Sequence, residues 1–96
     1  MEIKPAIFFD FDVKFYGDEI EMKGYCDNVE VILPDRSKYR VCFYDPVRLK
    51  QDIEEEIYID IPNLIVILTV TEKNMERAVY RAWEDGFFNN LKSSSV

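Results

Sequence analysis

A two-residue hydrophobic period running from Val29 to Tyr44, interrupted once by a four-residue turn, constrains this chain more than any other feature. Val29, Val31 and Leu33 fall on one side of the chain. After Pro34-Asp35-Arg36-Ser37, Tyr39, Val41 and Phe43 take one face and Lys38, Arg40, Cys42 and Tyr44 the other. Period two belongs to pleated strands, and proline presets the first corner of a type I turn. The segment therefore reads as an antiparallel hairpin with one apolar face, which the remaining residues must cover.

The flanking segments are read in the same way. From Ala6 to Phe15, Ile7, Phe9, Phe11, Val13 and Phe15 alternate with Phe8, Asp10, Asp12 and Lys14, as a half-buried strand would. Tyr16-Gly17-Asp18 is a turn signal, and Ile20, Met22, Gly24 and Cys26 alternate beyond it, so a second hairpin is expected there. Asp27-Asn28 is either a tight turn or a bulge within one long strand, and the turn is the expectation. Asp45-Pro46 is a strong helix start, followed by Pro46, Leu49, Ile53 and Ile57 at helical spacing, enough for about three turns. Leu64 to Val70 is apolar on both faces and predicts a central strand. Thr71 caps a last helix, with Met75, Ala78, Val79 and Ala82 as its buried face, ended by Gly86 and locked by Phe87 and Phe88. The expected fold is α+β: an antiparallel meander of four or five strands with two helices packed on it, in the order β-β-β-β-α-β-α. The phenylalanine-rich strand and the Leu64 to Val70 strand are expected at the sheet centre. Residues 1–91 should form one domain, and 92–96 a flexible tail.

Composition narrows function by exclusion. For 96 residues, surface scaling predicts that roughly 65% of the extended chain's surface is buried, enough for one core. There is no histidine, which removes the commonest general base and a favoured metal ligand. Cys26 and Cys42 lie sixteen positions apart with no second thiol near either, so neither a redox pair nor a zinc knuckle is built, and no cofactor is expected. The start lacks a basic n-region, so a reducing cytoplasm is the expected compartment. The longest aliphatic run, Leu64 to Leu68 extended by Thr69 and Val70, is seven residues, against about twenty for a spanning helix, and no membrane partner is expected. Nineteen acids against twelve bases leave a net charge of -7, which repels phosphates and argues against nucleic acid. Arg36, Lys38, Arg40, Arg48 and Lys50 make a local basic region. Alternation places Tyr39 on the face opposite Lys38 and Arg40, so no stacking platform results.

Ile7-Phe8-Phe9-Asp10-Phe11-Asp12 resembles the first motif of the haloacid dehalogenase superfamily, an apolar strand ending in Asp-x-Asp. The resemblance implies that Asp10 is a nucleophile and Asp12 its acid/base partner in a magnesium-dependent phosphohydrolase. It covers about six residues. Val13-Lys14 stands where that family has a small residue and a threonine, and its doubly wound parallel sheet needs a longer chain. Asp10 and Asp12, with a cross-strand Glu19 or Glu21, are also the candidate oxygen ligands for a divalent cation. The simpler reading is that both aspartates are solvent-facing positions of an amphipathic strand.

Asp52, Glu54, Glu55 and Glu56 crowd the C-terminal end of the first expected helix, where the backbone dipole is already negative. Arg48 with Asp52 and Lys50 with Glu54 are spaced to pair, in the less favourable order. Residues 51–63 hold five acids and no base. The functional reading is an acidic docking face of Glu54, Glu55, Glu56 and Asp60 for a basic protein partner, with Tyr58 as aromatic anchor. In size and charge the chain is similar to small bacterial inhibitor, immunity and antitoxin proteins, and a non-enzymatic binding module is the expected function. Self-association into a homodimer through a sheet edge is the other partner expectation.

Overall fold

A computed structural model describes residues 4–91. It is an α+β domain built on a four-stranded mixed sheet with three helices. The strands are β1 (Ala6–Phe8), β2 (Tyr25–Ile32), β3 (Lys38–Tyr44) and β4 (Leu64–Val66), lying side by side in chain order. The helices are α1 (Gly17–Lys23), α2 (Pro46–Glu56) and α3 (Glu72–Glu84), and a 3-10 turn follows at Phe87–Asn90. The expected tail at 92–96 lies outside the described residues.

The β2–β3 hairpin forms where the two-residue period placed it. The Leu33 amide donates to the Ser37 carbonyl at 2.9 Å, and the strands pair antiparallel from Val29↔Val41 to Ile32↔Lys38. Val29, Val31, Val41 and Phe43 are essentially inaccessible to solvent. They meet Val70, with Met75 and Val79 from α3 and Phe88 from the 3-10 turn; Phe88 lies 5.2 Å from the Tyr39 ring. Each such side chain contributes about 1.5–3 kcal/mol on removal from water. α3 starts where Thr71 accepts the Asn74 amide at 3.2 Å, and its buried residues are the expected Met75 and Val79.

Four expectations are corrected. The phenylalanine-rich strand stops at Phe8 because Asp12 bends the chain: its carboxylate accepts the Lys14 and Phe15 amides at 3.2 Å each. An aspartate that satisfies two amides of its own loop competes with the strand ladder. Gly17–Lys23 is a helix, the third one, rather than a strand. Asp18 and Glu19 suit its N-terminus, Lys23 its C-terminus, and only Ile20 is buried, which fits a helix face better than alternation does. Asp27-Asn28 is a bulge, with the register shifting between Cys26 and Val29 and Asn28 at φ 57°, so β2 is continuous rather than broken by a turn.

The fourth correction concerns the sheet itself. β4 is an edge strand, not a central one, and pairs parallel to β3 through Cys42↔Leu64, Phe43↔Ile65 and Tyr44↔Val66. The chain leaves β3, runs through α2 and returns in the same direction, a crossover that only parallel pairing accommodates. β1 is the other edge, so the two apolar segments expected at the centre flank it, and the hairpin supplies the centre. Both edges are only three residues long.

Candidate functional site

α2 begins as its sequence demands. Asp45 accepts the Arg48 amide at 2.7 Å, and Pro46 occupies the first turn, where its missing N–H costs nothing. Tyr44 points away from Phe43 and hence away from the core. Its hydroxyl donates to Asp52 at 2.8 Å, which places α2 on the sheet face opposite α3. The expected stripe of Pro46, Leu49, Ile53 and Ile57 does not become a buried seam, because α2 has no buried residue. Ile53 is 40% exposed, Val47 67% and Ile57 86%.

A polar clip fastens the helix instead. The Arg48 Nε donates to Asp52 at 2.9 Å, its Nη1 reaches the Lys23 carbonyl at 3.5 Å, and its guanidinium lies 4.7 Å from the Tyr25 ring centre. Tyr25 in turn packs 5.8 Å from Tyr44. Asp52 thus accepts from two donors, one on α2 and one on β3. Burial, reinforced by donation to Asp52, pushes the Tyr44 hydroxyl up to about 12. Tyr44 therefore stays a protonated donor across the physiological range.

Beyond the clip the carboxylates gather. A cleft of about 370 Å³ opens between the end of α2 and the following segment, walled by Asp52, Glu56 and Asp60, with Tyr44, Tyr58 and Ile61 as its apolar lining. The structure brings Glu56, Tyr58 and Asp60 of the expected site together at this cleft. Glu54 and Glu55 stand on the exposed helix surface outside it, Glu54 with Lys50 at 3.9 Å. Tyr58 is 72% exposed. Ile57, between the acids and Tyr58, adopts φ 73° and ψ -42°, a conformation that a β-branched residue takes only at a cost. Sequence reasoning did not single out Ile57 or Tyr44 for this site. A β-branched residue placed directly after a helix gave no signal of positive φ, and the Tyr44–Asp52 bond joins two elements.

The remaining candidates are dispersed. Asp10 lies on the surface beside Phe8, Asn28, Glu30 and Arg40, whereas the Asp12 carboxylate is engaged in its own turn. Among the described residues no group of three or more carboxylate, thiol or imidazole side chains is gathered to hold a metal ion. Cys26 and Cys42 are both buried free thiols, and burial, with Asp27 nearby, pushes them up to about 12 and about 11. Both are held as protonated thiols near neutral pH. No helix among the described residues is long and apolar enough to cross a membrane. Compared with known protein families, curated proteins and solved structures, the chain matches none.

Proposed function

We propose that this protein is a non-enzymatic binding module that docks a basic protein partner through the C-terminal end of α2 and the segment to Asp60. One observation carries the reading: α2 is held to the sheet by a polar clip, while the apolar residues just beyond its end face solvent beside the acids. Ile57 at 86% and Tyr58 at 72% exposure stand next to Glu54, Glu55, Glu56 and Asp60. Exposed aliphatic and aromatic side chains rimmed by charge are the anatomy of an interface. The sign of the rim selects a partner rich in lysine and arginine, with association that is fast and salt-sensitive. The short edge strands weigh against a sheet-edge homodimer, since three residues offer few backbone groups to pair.

The test is an affinity capture from native lysate at low and moderate salt, with wild type and with Glu54→Gln/Glu55→Gln/Glu56→Gln, followed by rebinding of the purified captured protein. A basic protein that binds wild type directly, weakens with salt and is lost in the variant supports the reading. Retention by the variant at wild-type strength refutes it. The variant should also melt higher, because carboxylates at a helix C-terminus cost roughly 0.3–1 kcal/mol each. Raised stability with unchanged capture identifies the acids as surface alone.

A further inference from the structure

A second concavity, of about 380 Å³, lies between α1 and the start of β2, and its Tyr25 ring packs against Tyr44 of the acidic cleft. Three aromatic rings wall it, Phe11, Tyr16 and Tyr25, and its charged lining consists of two carboxylates, Glu19 and Asp27, and one ammonium, Lys23. The rings are braced by one another and by neighbours outside the pocket. Phe11 packs against Phe9 at 5.9 Å, Tyr16 meets Phe11 edge-on at 6.3 Å and Phe15 at 4.8 Å, and Tyr25 is held by Tyr44 and Arg48. Among the described residues, neither Glu19 nor Asp27 engages its carboxylate in a hydrogen bond or ion pair.

We infer that this pocket binds an organic ammonium cation, the rings receiving its alkyl groups and the two carboxylates its charge. Ring quadrupoles attract cations on their faces and do so best when the cation is weakly hydrated. Arg48 already uses the Tyr25 ring in this way. A metal ion would need several oxygen ligands converging at short range, and the pocket offers two carboxylates on separate elements. An anion would meet two negative charges for one positive. The ammonium is either a free quaternary amine or the head of a methylated lysine side chain, which present the same chemistry. This site is separate from the α2 end and does not depend on the reading proposed for it.

The experiment is an amide chemical-shift titration of the full chain with tetramethylammonium chloride, against sodium chloride at equal ionic strength. Saturable shifts confined to the neighbourhood of Phe11, Tyr16, Tyr25 and Asp27 are expected, with a dissociation constant on the order of 1 mM. Tyr16→Leu, at an exposed ring, should weaken binding about fivefold, with changes to the free protein's spectrum confined to the surroundings of Tyr16, Phe11 and Phe15. Lys23→Gln should tighten it, because a like charge beside the bound cation is removed. A trimethyl-lysine peptide that binds more tightly than tetramethylammonium assigns the site to a protein ligand; equal or weaker binding assigns it to a free amine. Shifts matched by sodium chloride, binding indifferent to Tyr16→Leu, or binding weakened by Lys23→Gln overturn the inference.

Discussion

Substitution of Gly24 by alanine tests how closely α1, β2 and α2 are joined. Gly24 ends α1 at φ 77°, and the Asp45 amide donates to its carbonyl at 2.8 Å. A Cβ there would stand 2.6 and 2.8 Å from the two Asp45 carboxylate oxygens and 2.9 Å from the Arg48 Cβ. The left-handed backbone costs an alanine about 1–2 kcal/mol, of which roughly 0.4–1 kcal/mol is returned by the stiffer unfolded chain. Moving the Asp45 carboxylate removes the cap on the Arg48 amide, about 1 kcal/mol more. The expected loss is about 2 kcal/mol, which lowers the melting temperature of a domain this size by about 8–16 °C. Gly17→Ala is the control: nothing lies within 4 Å of its added Cβ, and at the first position of α1 it should stabilise by about 0.5 kcal/mol. In an Asp45→Ala background the cap is already gone, so Gly24→Ala should cost about 1 kcal/mol less than in wild type. Urea denaturation of the four variants measures all of this. A Gly24→Ala variant within 0.5 kcal/mol of wild type, or strict additivity with Asp45→Ala, refutes the close approach.

Other outcomes follow from the same geometry. Asp12→Ala should destabilise by about 1 kcal/mol, since two amides lose their acceptor, whereas Asp10→Ala should leave urea stability within about 0.5 kcal/mol of wild type; equal losses would show that Asp12 does not hold the bend. Ile57→Gly should stabilise by about 1 kcal/mol, because relief of positive φ outweighs the entropy of a freer unfolded chain and little burial is lost, yet it should weaken partner capture. The folded thiols of Cys26 and Cys42 are raised to about 12 and about 11 from 9.0. Their contribution is therefore intact below pH 9 and declines above it, as the unfolded chain ionises first. Stability measured from pH 8 to 11 should fall, and less steeply in a Cys26→Ser/Cys42→Ser variant compared with its own value at pH 8. At pH 8 both thiols should label with a disulfide reagent only as fast as the protein unfolds, and immediate labelling of either would show that it is accessible.

What was legible in the sequence was local. Pro34 with the alternation on either side, Asp45-Pro46 and Thr71 each act within a few residues, and each element they mark is present. α1 was misread although its own signals were present: acids at its start, Lys23 at its end and Gly24 beyond. Ile20 and Met22 mimicked a strand face, but Met22 is 86% exposed. The apolar run from Leu64 was misplaced because its position depends on the α2 crossover, and Leu68, expected in the sheet interior, is 84% exposed. The candidate site was legible as an excess of charge at the wrong helix end. Its architecture was not, because the contacts of Arg48 with Lys23 and Tyr25 join residues more than twenty positions apart.

The polar clip has a consequence for how the molecule breathes. Lifting α2 off the sheet uncovers Tyr44 but no buried residue of the helix itself, so its opening should depend only weakly on denaturant, whereas amides of β2, β3 and α3 become exposed only when the core itself opens. In native-state hydrogen exchange, α2 should therefore form a separate, faster-exchanging unit with a shallow urea dependence. A partner seated on α2 would lengthen amide lifetimes where they are shortest, and its grip would register first in this local unit rather than in the core.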